Sequence, residues 1–221
     1  MKRLICLLLC GLTLLSLTGC GAPKTETLDI FAMDTYMSLV AIGDGASDVL
    51  QACSNEINAL EQRLSRTIET SSVAQLNANG IAQLDDDTAA LLQAALQYSA
   101  ETGGTFDVTI APLVELWGIT GDAPRVPAQS EIDALLVGSE HVHLEGTAAA
   151  LDEGCAIDLG GIAKGYASDK TAELFAGSGI FGGFVSLGGN VYVHGVTAEG
   201  QPWNVAIQDP RNTEAYACTL R

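Results

Sequence analysis

The chain reads as an α+β domain with mixed or antiparallel sheets and packed helices, on three observations. Strand-forming residues run from Thr27 to Ile42, helical periodicities follow at 49–64 and 85–102, and strand-and-turn character returns after His141 around one further helix. Strands, then helices, then strands again is not the regular alternation of a parallel α/β fold.

Taken in order, residues 21–26 form a short polar linker and the run 27–42 supplies the first strands. Val49, Leu50, Cys53, Ile57, Leu60 and Leu64 recur at helical spacing and bury one face, with Ser47 placed as N-cap. Asp85–Thr102 makes a second helix, stopped by Gly103 and Gly104. Ser130 opens a third, short helix that closes near Gly138, and the Gly- and Pro-containing stretch 118–127 is a surface loop. Ala156–Leu159 reads as the end of a buried strand and Ile162–Phe175 as a helix, with Gly160 and Gly161 at the junction. Four strand candidates complete the chain, at 180–187, 190–195, 203–208 and 215–220. No repeat, heptad or low-complexity tract divides the sequence, so the ~202 residues after the leader are expected to share one core.

The leader is MKRLICLLLCGLTLLSLTGC, with a basic start, an apolar run from Leu4 and small residues before a cysteine. That pattern is a secretion signal rather than a spanning helix of the fold. Its LTGC ending looks like a bacterial lipobox, which predicts cleavage before Cys20 and diacylation of the sulfur; a plain signal peptide cut near Ala22 is the alternative. A lipid anchor on the extracytoplasmic face of a bacterial membrane is therefore expected, since no later apolar run approaches the ~20 residues a span requires.

Charge narrows the partners. Ten basic residues face 27 acidic ones, a net charge of −17, and loss of Lys2 and Arg3 with the leader takes it to about −19. That sign weighs against nucleic acid as a partner. An anionic ligand is not excluded, provided local N–H groups, a lysine or a divalent cation neutralise it. Outside the leader, Cys53, Cys155 and Cys218 have no CxxC or zinc spacing, and Cys53 and Cys155 read as buried free thiols without a catalytic role. His141, His143 and His194 show neither metal-ligand spacing nor a visible carboxylate partner and read as structural.

The most informative segment is AIDLGGIAKGYASDK, Ala156–Lys170. Glycines at a strand-to-helix junction permit close approach of a ligand and a positive φ. The helix that follows offers unpaired N–H groups and a positive dipole end, with Lys164 placed to meet phosphate oxygens. Asp158 could hydrogen-bond a ligand or stand near a metal. An ordinary tight connection with a surface lysine fits the spacing equally well.

Six segments in order carry a more specific resemblance: AMDTYMSLVAIG (32–43), LSRTIETSSVAQLNANG (64–80), ETGGTFDVTIAPLVELWGI (101–119), IDLGGIAKGYASDK (157–170), FVSLGGNVYVHG (184–195) and PWNVAIQDPRN (202–212). Together they resemble the ApbE family, the FAD:protein FMN transferases. The resemblance implies a single T-fold-related domain over 27–221 and a reaction in which a target protein's threonine or serine hydroxyl attacks the FMN-side phosphorus of FAD and expels AMP. It implies FAD as substrate, Mg²⁺ as cofactor and an extracytoplasmic flavoprotein with a Ser/Thr-containing motif as acceptor.

Residue by residue, the resemblance puts Met33 near the flavin, within a Met-Asp-Thr triplet where Asp34 replaces the family's usual glycine. Thr105, Phe106 and Asp107 align with positions that line the FAD site, although a core aromatic and a turn acid are the plainer readings of the last two. Asp158 and Lys164 align with flavin-nucleotide contacts, and Gly161 with a position that helps hold Mg²⁺ through its carbonyl oxygen. Where the family often has an aromatic facing FAD, this chain has Thr67. Gly188 and Gly189 fit either a close approach to the ligand or a simple hairpin turn. The family's His-Ile-x-Asp-Pro-like and Ala-Asp-Ala-x-x-Thr-like motifs, which carry its candidate catalytic histidine and metal ligands, have no counterpart before Arg221, so a chain truncated at its C-terminus with an uncovered sheet edge is expected.

Overall fold

A computed structural model describes residues 23–121 and 123–221; Cys20 and the rest of the leader lie outside the described residues. Strands β1 (Thr25–Ala32) and β2 (Thr35–Ile42) form a hairpin, and β2 pairs with β6 (Gly182–Leu187), which pairs with β7 (Asn190–Gly195). Every pairing in this four-stranded sheet is antiparallel. Strand alternation sends Met37, Leu39, Ala41, Val185 and Leu187 to one face, where all are buried. The opposite face keeps Phe31 and Tyr36 exposed, their rings in edge contact at 5.1 Å.

Two helices cover the buried face. Helix α1 (Ala46–Leu64) turns Val49, Leu50, Cys53, Ile57, Leu60 and Leu64 inward and packs on β1 and β2. Helix α6 (Gly160–Ser178) packs on β6, β7 and α1. Its buried residues, Ala163, Ala167, Ser168 and Thr171, are small, which lets α1 approach closely; Phe175 fills the space beyond them. Between the two come α2 (Ser72–Asn79), β3 (Ile81–Gln83), α3 (Asp86–Glu101), α4 (Ala111–Trp117) and α5 (Gln129–Ile132), with short 3₁₀ turns at Val108–Ile110 and Ser139–His141. Strands β4 (Val142–Glu145) and β5 (Ala148–Leu151) join β3 in a small sheet ordered β3-β5-β4. The last hairpin, β8 (Val205–Asp209) with β9 (Asn212–Leu220), is almost wholly exposed.

One clasp fixes three helices at a point. Asp87 of α3 accepts a hydrogen bond from the Tyr166 hydroxyl at 2.7 Å and pairs with Lys170 at 3.2 Å, both on α6, and with Arg63 of α1 at 3.3 Å. The Tyr166 hydrogen bond foremost, helped by the two cations, holds the Asp87 carboxyl below the usual carboxylate range.

Several expectations are corrected. Strand β1 already begins at Thr25, two residues before the predicted run. Helix α1 starts at Ala46 with Gly45 as N-cap at φ 78°, not with Ser47, and makes no side-chain cap. The third predicted helix shrinks to Gln129–Ile132. Residues 156–159 form no strand: the Asn77 side chain donates to the Ile157 carbonyl and accepts its N–H, both at 2.8 Å, taking the place of a neighbouring strand. Helix α6 then begins at Gly160, so the two glycines lie within its first turn rather than before it. His141 and His143 do have a carboxylate partner, Asp152, which reaches one nitrogen of each ring at 2.9 Å from the far end of the β4–β5 hairpin. The free, buried state of Cys53 and Cys155 is as expected; burial pushes Cys53 up to about 12 and Cys155 up to about 11.

Candidate ligand-binding cleft

A cleft of about 900 Å³ opens between the β1–β2 turn, the C-terminal half of α1, α4 and the start of α6. That volume is at the upper end of what cofactor-sized ligands occupy. Its lining includes Met33, Asp34, Glu61, Arg66, Asp158, Gly161 and Lys164, so four of the residues singled out in the sequence, Met33, Asp158, Gly161 and Lys164, meet in one place.

The β1–β2 turn enters it under strain. Met33 and Asp34 have φ of 48° and 58°, the left-handed pair that a two-residue hairpin demands and that glycine or asparagine meets most cheaply. Glu61 of α1 secures the turn by accepting the Met33 N–H at 2.8 Å. At the equivalent end of the sheet Gly188 and Gly189, φ 61° and 95°, make the β6–β7 turn; they take the hairpin role and are not part of the cleft's lining.

The floor is the start of α6. Leu159 offers no side-chain cap, Gly160 N–H donates to Asp158 Oδ1 at 2.7 Å, and among the described residues the Gly161 N–H has no acceptor. A helix of 19 residues thus presents its positive end to the cleft, with Lys164 one turn along. The glycines serve space, not a positive φ. A Cβ on Gly161 would stand 3.1 Å from the Phe106 ring and one on Gly160 would stand 3.0 Å from Asp158 Oδ1.

Asp158 is committed within the protein: Oδ1 caps Gly160 and Oδ2 accepts from Arg66 Nε at 2.9 Å. Arg66, which sequence reasoning passed over, also reaches Glu115 Oε1 of α4 at 3.2 Å and the Thr120 hydroxyl at 3.0 Å. It is held ready by a local turn in which Ser65 Oγ accepts the Thr67 and Ile68 N–H groups, while Ser71 donates back to the Ser65 carbonyl. Only the scarcity of cations in the sequence could have marked Arg66 out.

Thr105, Phe106 and Asp107 are not brought into the lining. The Thr105 hydroxyl donates to the Thr102 carbonyl at 3.0 Å. Phe106 backs Gly161 and meets Tyr98 edge-on at 6.5 Å. Asp107 Oδ1 caps Thr109 at 2.8 Å and Oδ2 accepts from Ser139 N–H at 3.2 Å, the role of a turn acid. Thr67, in the place of the expected aromatic, does line the cleft.

Comparison with known proteins identifies the family. A family-wide sequence profile, that of the ApbE family, matches residues 33–221. The chain is 30% identical to the FAD:protein FMN transferase of Salmonella typhimurium, covering 97% of this chain and 68% of the relative, and 28% identical to that of Vibrio cholerae, covering 90% and 63%. The crystal structure of the ApbE protein of Thermotoga maritima superposes with a TM-score of 0.82 at 30% identity, over 89% of this chain and 67% of that one. The chain thus spans about two thirds of the length of these relatives. With the profile running from the strained β1–β2 turn through the α6 junction to the last residue, the chain belongs to the ApbE family.

Proposed function

We propose that the cleft binds FAD with its diphosphate at the start of α6, and that the protein transfers FMN from FAD to a flavoprotein acceptor. The observation that carries this reading is the convergence of the α6 N-terminus and Lys164 in one cofactor-sized cleft of an otherwise strongly acidic chain. The names of the relatives supply the reaction.

In that reaction the hydroxyl oxygen of an acceptor threonine or serine forms a bond to the FMN-side phosphorus. The phosphoanhydride bond breaks, AMP leaves with the bridging oxygen, and the hydroxyl proton passes to a base. The chain's own contribution is positioning and charge: helix N–H groups and Lys164 meet negative charge on the diphosphate, and the Arg66–Asp158 pair holds the floor in place. None of the cleft residues is assigned as the base. Mg²⁺, implied by the resemblance, does not fit the described donors alone. Among the described residues no group of three or more His, Cys, Asp or Glu could hold a metal ion, Asp158 is already engaged, and Gly161 brings only a carbonyl that points along its helix. No step is routed through the metal.

The LTGC sequence at 17–20 supports a lipid anchor at Cys20 and an acceptor on the extracytoplasmic side. Among the described residues no helix is long and apolar enough to cross a membrane. A Cys20→Ala chain should leave the membrane fraction.

The protein, given FAD, Mg²⁺ and a flavoprotein domain with a Ser/Thr-containing acceptor motif, should add one FMN mass to that domain and release an equal amount of AMP. AMP without a mass gain would make it a hydrolase instead, and tight FAD binding with no AMP would make it a carrier.

A further inference from the structure

We infer that Arg66 is the positioning residue of the cleft, joining its floor to its far wall so that the ligand-binding shape exists before the ligand arrives. The inference rests on the flavin reading only for the identity of the ligand.

Arg66 stands just past the Ser65 C-cap of α1, and its side chain is 12% exposed although its partners Glu115 and Thr120 are at the surface. Each nitrogen serves a different element. Nε holds the Asp158 carboxylate at 2.9 Å, Nη1 holds Glu115 of α4 at 3.2 Å, and Nη2 holds Thr120 of the loop after Gly118 at 3.0 Å. Asp158 passes the constraint on, because its other oxygen accepts the first N–H of α6 at 2.7 Å. One planar guanidinium therefore sets the separation between the helix N-terminus and the wall made by Val114, Ile119 and Thr120. A lysine carries the same charge but has no fixed fork that can serve three acceptors in three directions.

The loop has the construction of a wall that one anchor can hold. Gly118 takes φ 66°, Arg125 N–H donates to the Trp117 carbonyl at 3.0 Å, and Arg125 grips Glu131 with two hydrogen bonds of 2.9 and 2.7 Å. These close the loop on itself. Among the described residues its side-chain tie to the α6 side of the cleft is Thr120 to Arg66. Glu115 is 70% exposed and is not part of the cleft lining, so it touches no ligand and reports on Arg66 alone.

The test uses the full chain and its Arg66→Ala, Arg66→Lys, Glu115→Ala and Arg66→Ala/Glu115→Ala variants. Two quantities are read: amide hydrogen exchange without ligand, and FAD affinity by quenching of flavin fluorescence. Exchange should quicken at Gly160 and across 118–125 in both Arg66 variants, and to a smaller degree in Glu115→Ala. FAD affinity should fall at least about tenfold in Arg66→Ala, fall nearly as far in Arg66→Lys, fall measurably in Glu115→Ala, and fall no further in the double variant.

Unchanged exchange in Arg66→Ala overturns the inference. So does wild-type affinity in Glu115→Ala, or full rescue by lysine, since each would mean that Arg66 acts by charge or direct contact. A wild-type chain that binds no FAD while the exchange responses appear as stated overturns the flavin reading and supports the positioning role.

Discussion

Asp34 shows how a single residue can be strained for the sake of a site. Its φ of 58° follows another left-handed residue, Met33, and an L side chain in that conformation costs about 1 kcal/mol or more. Asp34→Gly should therefore raise the melting temperature by about 2–4 °C for a chain of this size, read by calorimetry. A lower melting temperature would mean that the Asp34 carboxylate makes a contact worth more than the strain. Gly161 is the opposite case. Its φ is ordinary, yet an added Cβ meets the Phe106 ring at 3.1 Å, so Gly161→Ala should cost about 1–3 kcal/mol of stability by overpacking. Adding Phe106→Leu should return part of that loss, because the two changes share one space. The sequence marked Gly161 as special but could not say why: glycine serves turns and close contacts alike, and Phe106 comes near only through the fold. Arg66 was illegible for the same reason, since its partners lie 49 to 92 residues further along the chain.

At the scale of elements, what repeats in the sequence was legible. The apolar spacing of α1 and the Gly103–Gly104 stop of α3 each stand where local pattern put them, and Gly188–Gly189 make the hairpin turn that was one of their two readings. Helices α2 and α4, of eight and seven residues, are too short to show a period. The stretch before Gly160 has strand-like composition, but its backbone partner is the Asn77 side chain, and no local pattern reveals that. The Asp87 clasp at the middle of α6 gives a pH dependence. The carboxyl of Asp87 sits below its unfolded value, so its contribution is full above that value, near pH 4, and is lost as pH falls through the lower folded one. Lys170, raised by the Tyr166 and Asp87 hydrogen bonds, contributes fully below its unfolded value and loses that contribution as pH rises through the higher folded one. Asp87→Asn should thus lower the melting temperature at neutral pH, and the deficit should shrink as pH falls below the ordinary carboxylate value. A deficit independent of pH would assign the clasp to packing instead of charge.

The centre of the molecule is a four-stranded antiparallel sheet with two helices on one face and a cleft at the end where its two hairpin turns lie. The sequence made the α+β class and the family resemblance visible because both rest on ordered local motifs. It also drew Met33, Asp158, Gly161 and Lys164 towards a common role, and these do meet, whereas Thr105 and Asp107 satisfy neighbouring loops instead. Thiol chemistry offers a check on the packing as a whole. Of the three cysteines beyond the leader only Cys218 is exposed, so a folded chain lacking residues 1–20 should react with one equivalent of a thiol reagent at pH 8, and the other two thiols should appear only on unfolding. The central claim is that the start of α6 receives the diphosphate of FAD. The most direct measurement is a calorimetric titration of FAD into the full chain and its Lys164→Glu variant at low and moderate salt. Saturable 1:1 binding that weakens with salt and falls at least about tenfold in the variant is the predicted result; equal affinity in the two chains would place the diphosphate elsewhere.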